Sequence, residues 1–187
     1  MSVIRKIFGF LIDSIQSLLL AAAVFLVIYV FFFRPFQVSG QSMYPTFNDG
    51  QYILTNIVFL NFEGPKLGDT VVFKAPNDPE KDFIKRIIGI EGDRIYIKDG
   101  KVYRNGKLLD ESAYLKPDLF TGPEAFLAER EEVTVPPDSY FVLGDNRPHS
   151  ADSREWGFIP IKNIIGKSYF LYWPLNEMRL IKNPYER

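Results

Sequence analysis

At 187 residues the chain has room for one membrane segment and one domain with its own core, while two full domains would be cramped. Its 22 basic and 23 acidic residues leave a net charge of −1, which excludes an overall field that recruits nucleic acid. The absence of cysteine rules out disulfides, thiolate metal sites and a cysteine nucleophile, and a single histidine, His149, rules out a three-histidine metal centre, so neither metal nor cofactor is expected.

Residues 18–33 run without a charge, about 24 Å as a helix. Extended back to Ile7, the stretch reaches about 40 Å with Asp13 as its one interruption, enough for a single tilted span that leaves Asp13 at headgroup level. Arg5 and Lys6 precede it and only Arg34 follows closely, so the positive-inside rule expects a cytoplasmic amino terminus and an extracytoplasmic chain from about Pro35. The rival reading is a cleavable signal, with Val38 and Gly40 at the −3 and −1 places. The apolar run is too long for that, and it ends in the bulky F-F-F-R-P-F instead of small residues, so an uncut anchor over residues 1–34 is expected.

Beyond Pro35, turn residues punctuate short apolar or alternating runs. Strands are predicted at 51–56, 69–74 and 82–90. D-R-I-Y-I-K, turn Asp99-Gly100, K-V-Y-R, turn Asn105-Gly106 and K-L-L read as a meander, because both dipeptides supply the positive φ of tight hairpins. Further strands are predicted at 132–135, 139–143 and 164–173. Between them, residues 110–132, with Pro117, Gly122, Pro123 and a charge run at 129–132, read as an excursion or short helix with a solvated face. Residues 35–187 are therefore expected to form one mainly β domain, with 100–132 as a small hairpin and excursion.

Few residues can do chemistry. A Ser-His-Asp triad would need His149, which lies in the polar loop N-R-P-H-S-A-D, where a lone histidine is ordinarily solvated. Lysine is the other base for a serine. Ser42 lies in G-Q-S-M-Y-P-T, where Gly40 permits a tight backbone and Pro45 fixes a turn. Lys85 lies in D-F-I-K-R-I-I-G-I; in a strand Lys85 and Arg86 point to opposite faces, so if one reaches solvent the other meets apolar surroundings. Burial would lower its pKa from about 10.4, and a neutral amine beside a serine is a competent general base. The plain alternative is that Lys85 snorkels and Ser42 caps a turn.

Four ordered blocks add a resemblance: S-M-Y-P-T-F (42–47), G-D-T-V-V-F (68–73), K-R-I-I-G-I-E-G-D (85–93) and G-D-N-R-P-H-S-A-D-S-R-E-W-G (144–157). Following a membrane segment, they resemble the type I signal peptidases. The resemblance implies a coiled antiparallel β catalytic domain and a Ser-Lys dyad of Ser42 and Lys85. It further implies Ser150 as the serine that orients the lysine, and Asp145, Asp152 and Arg154 as supporting residues. From spacing alone, Asp152 and Arg154 could equally form an ordinary surface salt bridge, worth little. The place of an oxyanion-stabilising serine found in many relatives is Gly40 here, so the Ser42 backbone N–H is left as the chief donor unless Ser39, one position off, or a water substitutes. Phe36, Val38, Met43, Phe47 and Ile84 would line the pockets for small residues at −1 and −3, although any could be plain core. The implied partners are signal peptides of exported precursors and membrane lipid. Two alternatives stay open: a self-cleaving Ser-Lys domain, and a non-enzymatic anchored β module that binds extended peptides.

Overall fold

The computed structural model describes residues 3–186; Met1, Ser2 and Arg187, at the outer ends of the expected segments, lie outside the described residues. Helix α1 (Val3–Phe32) is followed by β1 (Phe33–Gln37), β2 (Tyr52–Asn56), β3 (Thr70–Ala75), β4 (Asp78–Gly89), β5 (Arg94–Lys98), β6 (Lys101–Arg104), β7 (Lys107–Leu108), β8 (Glu132–Thr134) and β9 (Ser139–Leu143). Then come α2 (Ser153–Trp156), β10 (Ile159–Pro160), β11 (Ile164–Trp173) and β12 (Arg179–Leu180). The expected mainly β, antiparallel architecture behind one apolar helix is present.

Within α1, Arg5–Val27 is long and apolar enough to cross a membrane. The uncharged run does not stay helical to its end, however, because Phe33 opens β1. Pro35 lacks an N–H and disfavours helical backbone at Arg34. It is tolerated where it sits, on an edge strand paired only to β2, opposite Leu54. Ile57 N–H donates to Phe32 O at 3.0 Å, which joins the helix end to the sheet.

The large sheet has the order β1-β2-β11-β3-β4-β9-β10, with β12 on β11, and a small sheet has the order β7-β6-β5-β8. The small sheet contains the meander, and both hairpin dipeptides take positive φ, at Asp99, Gly100, Asn105 and Gly106. Register shifts in β11 between Ile164 and Gly166, Ser168 and Phe170, and Leu171 and Trp173 bend that central strand and coil the sheet. Residues 109–131 form turns, not the short helix allowed for above, and are tied back by Thr121 N–H to Gly100 O and by Phe126 and Leu127 N–H to Arg154 O. Three apolar clusters hold the fold. One joins the two sheets around Ile95, Leu127 and Phe141, one lies around Phe73 and Ile87, and the third packs Val38, Met43, Phe47, Ile53, Val72 and Leu171 under the loop that carries Ser42.

Candidate active site

Residues 38–51 form a closed loop between β1 and β2. Val38 N–H donates to Gln51 O, Gly50 N–H to Val38 O, and Phe47 N–H to Met43 O, while Phe47 and Met43 anchor the underside in the core. Gly40 takes φ +84°, a left-handed conformation that favours glycine, and its N–H donates to Asp49 Oδ1 at 2.7 Å. The loop leaves Ser42 part-exposed at its tip. Its backbone N–H has no hydrogen-bond partner among the described residues.

Lys85 reaches this tip from β4. Its Nζ donates to Ser42 Oγ at 2.8 Å and to Ile84 O at 3.1 Å, and the residue is only 4% exposed. Burial pushes its pKa down to about 8, against the opposing pull of the Asp152 and Asp145 charges. The amine is thus brought within range of neutral pH beside a hydroxyl it can deprotonate.

On β4 neither of the two alternating cations reaches solvent. Arg86 does not reach solvent; it is 2% exposed. Both faces of the strand are covered here, and Arg86 finds charge compensation, donating from Nε and Nη2 to Asp145 at 2.9 and 2.7 Å and from Nη1 to Gly68 O. Asp145 also accepts from Thr46 Oγ1, which ties β4 to the Ser42 loop. Asp152 and Arg154 likewise form no surface pair. Both are buried in a two-pronged contact of 2.8 and 2.9 Å, Asp152 accepts the Gly144 N–H, and Arg154 donates to the carbonyls of Arg147, Ser150 and Gly122. Such a pair is well satisfied, and removing one partner would leave an uncompensated buried charge.

Ser150 is buried next to the dyad but its Oγ makes no hydrogen bond among the described residues, so the contact to Lys85 implied by the resemblance is not formed in this state. Gly144 explains its proximity: a Cβ there would meet Ser150 Oγ at 2.1 Å and Ser42 O at 2.5 Å. Asn146 completes the connection, its N–H donating to Ser42 O at 3.0 Å and its Nδ2 to Gln41 O at 3.0 Å. His149 is exposed.

Beside Ser42 and Lys85 lies a cavity of about 210 Å³ lined by Phe36, Gln37, Val38 and Ser39 on one side and Asp82, Phe83 and Ile84 on the other. Of the five expected pocket residues, Phe36, Val38 and Ile84 line it. Met43 and Phe47 do not; at 1% and 0% exposed they are core, because the loop needs an apolar floor. Both walls are strand edges. Among the described residues β1 is bonded only to β2, and β4 meets β9 only from Arg86 onward, so the backbone at 82–84 is paired by β3 alone. The slot between them suits an extended peptide that supplies its own main-chain hydrogen bonds.

Sequence inspection missed Arg86, Thr46, Gly144, Asn146 and Arg147. Thr46 stands inside the first quoted block, Arg86 inside the third and Gly144, Asn146 and Arg147 inside the last, and those places are the one signal that could have marked them.

The profile of the family described as "Signal peptidase, peptidase S26" matches residues 11–173. Signal peptidase IB of Staphylococcus aureus (strain MRSA252) is 34% identical over 184 residues, covering 93% of this chain and 95% of that protein. The chloroplastic thylakoidal processing peptidase 1 of Arabidopsis thaliana is 39% identical over 151 residues, covering 75% of this chain and 42% of that protein. A crystal structure of a signal peptidase I from Enterococcus faecalis V583 aligns with TM-score 0.44 and 28% identity, covering 55% of this chain and 95% of that one. With a matched stretch that runs from within the apolar helix through both halves of the site, the chain belongs to the signal peptidase family, peptidase S26.

Proposed function

We propose that this chain is a membrane-anchored serine endopeptidase that removes amino-terminal signal peptides from exported precursors, with Ser42 as nucleophile and Lys85 as its general base. The observation that carries this reading is the 2.8 Å approach of Lys85 Nζ to Ser42 Oγ at a buried amine. Neutral Lys85 takes the Ser42 proton as Oγ attacks the scissile carbonyl. The ammonium so formed is favoured by the charges of Asp152 and Asp145 and gives its proton to the departing amine. The tetrahedral oxyanion accepts from the Ser42 N–H. Gly40 offers no side chain as a second donor and its own N–H is engaged by Asp49, which leaves Ser39, on the cavity wall, or a water for that place. In the second half the lysine deprotonates a water, which releases the acyl group from Ser42.

The substrate's extended segment lies in the slot between β1 and β4, and the volume beside Ser42 suits small side chains at −1 and −3. The helix sets the amino terminus on the cytoplasmic side and the β domain on the opposite face, by the Arg5, Lys6 and Arg34 distribution. Confinement of enzyme and precursor to one membrane raises their effective concentration. The chain's own Val38–Gly40 stretch is no substrate for its own site, since Val38 is buried and both its main-chain groups are bonded within the loop.

The test is cleavage of a precursor with alanine at −3 and −1 by the purified full chain in lipid, alongside Ser42→Ala and Lys85→Ala. Product with the parent and none with either variant is expected; undiminished turnover by either variant overturns the dyad. Stoichiometric self-fragments with no turnover of added precursor would favour the self-cleaving reading.

A further inference from the structure

Two arginines hold consecutive residues of the turn that supports Ser42, and both are met by the same surface segment. Arg147, 1% exposed, donates from Nε to Gly144 O at 3.0 Å, from Nη1 to Thr121 Oγ1 at 2.8 Å and Glu111 Oε2 at 3.1 Å, and from Nη2 to Glu111 as well. Arg86, which grips Asp145, is stacked on the Tyr114 ring with its guanidinium carbon 4.1 Å from the centroid. Tyr114 O–H donates to Glu111 Oε1 at 2.8 Å, so one carboxylate and one aromatic face act as a unit against both cations. Glu111 and Tyr114 belong to the excursion between β7 and β8, which lies outside all four blocks that carry the family resemblance and supplies none of the residues that line the cavity.

We propose that Glu111 and Tyr114 are positioning residues for the reaction: through Arg147 and Arg86 they hold residues 144–146, and with them Ser42 and the dry wall around Lys85. The link is continuous. Asn146 N–H binds Ser42 O, and Gly144 packs against Ser42 O and Ser150 Oγ with no room for one methyl. If the excursion lets go, Arg147 is a buried cation without its carboxylate, the turn relaxes toward water, Ser42 loses its fixed placement and Lys85 is rehydrated. The charges that face Lys85 are Asp152 and Asp145, each shared with an arginine, and Asp82 at the cavity, which is paired with Lys74 at 2.9 Å. None of these carboxylates is altered by substitutions in the excursion; Glu111→Ala bares the Arg147 charge, which pushes the lysine's titration down, and Tyr114→Leu removes no charge, so an upward change in either variant reports hydration and geometry.

The proposal rests on the Ser42–Lys85 reading, and its test has one arm independent of turnover. Glu111→Ala, Tyr114→Leu and the conservative Tyr114→Phe, made in the full chain, are compared for kcat, KM and thermal unfolding. In parallel the pH dependence of Lys85 acylation by acetic anhydride is read by peptide mass spectrometry without substrate. Glu111→Ala and Tyr114→Leu are expected to lower kcat about 10- to 100-fold with KM within about twofold. The Lys85 titration should move up from about 8 toward 10.5. Tyr114→Phe, which keeps the ring over Arg86, should stay close to the parent. Folded variants with parental kcat and parental Lys85 titration overturn the proposal, and so does a loss confined to the unfolding temperature. If Ser42→Ala proves active, the dyad fails while the Lys85 titration still decides the clamp.

Discussion

Lys85 and Arg86 are neighbours on β4, and both are buried, yet they face different partners: Lys85 meets the Ser42 hydroxyl, and Arg86 meets the Asp145 carboxylate. Among the described residues, one cation has no carboxylate in contact, and the other has a two-pronged one. The first is therefore depressed toward neutrality, while the guanidinium stays charged and structural.

Activity should follow that difference. The rate at low substrate is expected to rise with pH through an apparent pKa near 8 as Lys85 loses its proton. A profile of kcat/KM between pH 5 and 10 checks this, and a flat profile across that limb would remove Lys85 from the base role.

The same depression has a stability sign. The folded pKa of Lys85, about 8, lies below its ordinary 10.5, so the unfolded chain holds this proton more tightly. Below pH 8 the folded state bears the full cost of a buried ammonium, about 3 kcal/mol, and the cost fades as pH rises from 8 to 10.5. Lys85→Met is expected to abolish activity yet unfold at a higher temperature at pH 7, with the gain shrinking by pH 10.5. Thermal unfolding at the two pH values measures it.

Gly144→Ala inserts a methyl 2.1 Å from Ser150 Oγ and 2.5 Å from the Ser42 carbonyl oxygen, which is backbone and cannot swing aside. A loss of about 1–3 kcal/mol in stability is expected from overpacking. Activity should fall by about 100-fold or more through displacement of Ser42. Chemical denaturation and single-turnover cleavage separate the two effects.

Asp152 and Asp145 both favour the charged form of Lys85, Asp152 the more strongly. Asp152→Asn is therefore expected to move the ascending limb of the pH profile below 8, and Asp145→Asn to move it less. Asp145→Ala should in addition cost about 3–5 kcal/mol, because Arg86 is left buried without its partner. An alkaline shift with either asparagine variant would contradict the assigned electrostatics.

Ile84 and Val38 face each other across the slot beside Ser42. Ile84→Ala should admit larger residues at −1 or −3, raising kcat/KM for a valine-containing precursor relative to the alanine one by about 10-fold. Paired cleavage assays of the two precursors give the ratio directly.

The elements that sequence determined are those set by local physics. The apolar stretch over residues 7–33 was legible as a candidate span because length and near lack of charge are what a membrane solvent requires, and the helix holds a stretch of that character at Arg5–Val27. The meander was legible because Asp99-Gly100 and Asn105-Gly106 carry the positive φ their hairpins require. The four blocks pointed to Ser42 and Lys85, although nothing in their spacing of 43 residues makes them meet. That contact was decided by the closed 38–51 loop and by β4 lying across from it. Tertiary structure also decided that Arg86, Asp152 and Arg154 are buried instead of solvated, since burial depends on what covers a strand or turn and a surface pair and a core pair have the same local spelling. Met43 and Phe47 were core for the same reason. The excursion, plain in sequence as a polar, proline-broken stretch, shows its purpose only where Glu111 and Tyr114 fold back onto Arg147 and Arg86, because long-range ion pairing leaves no mark in the order of residues.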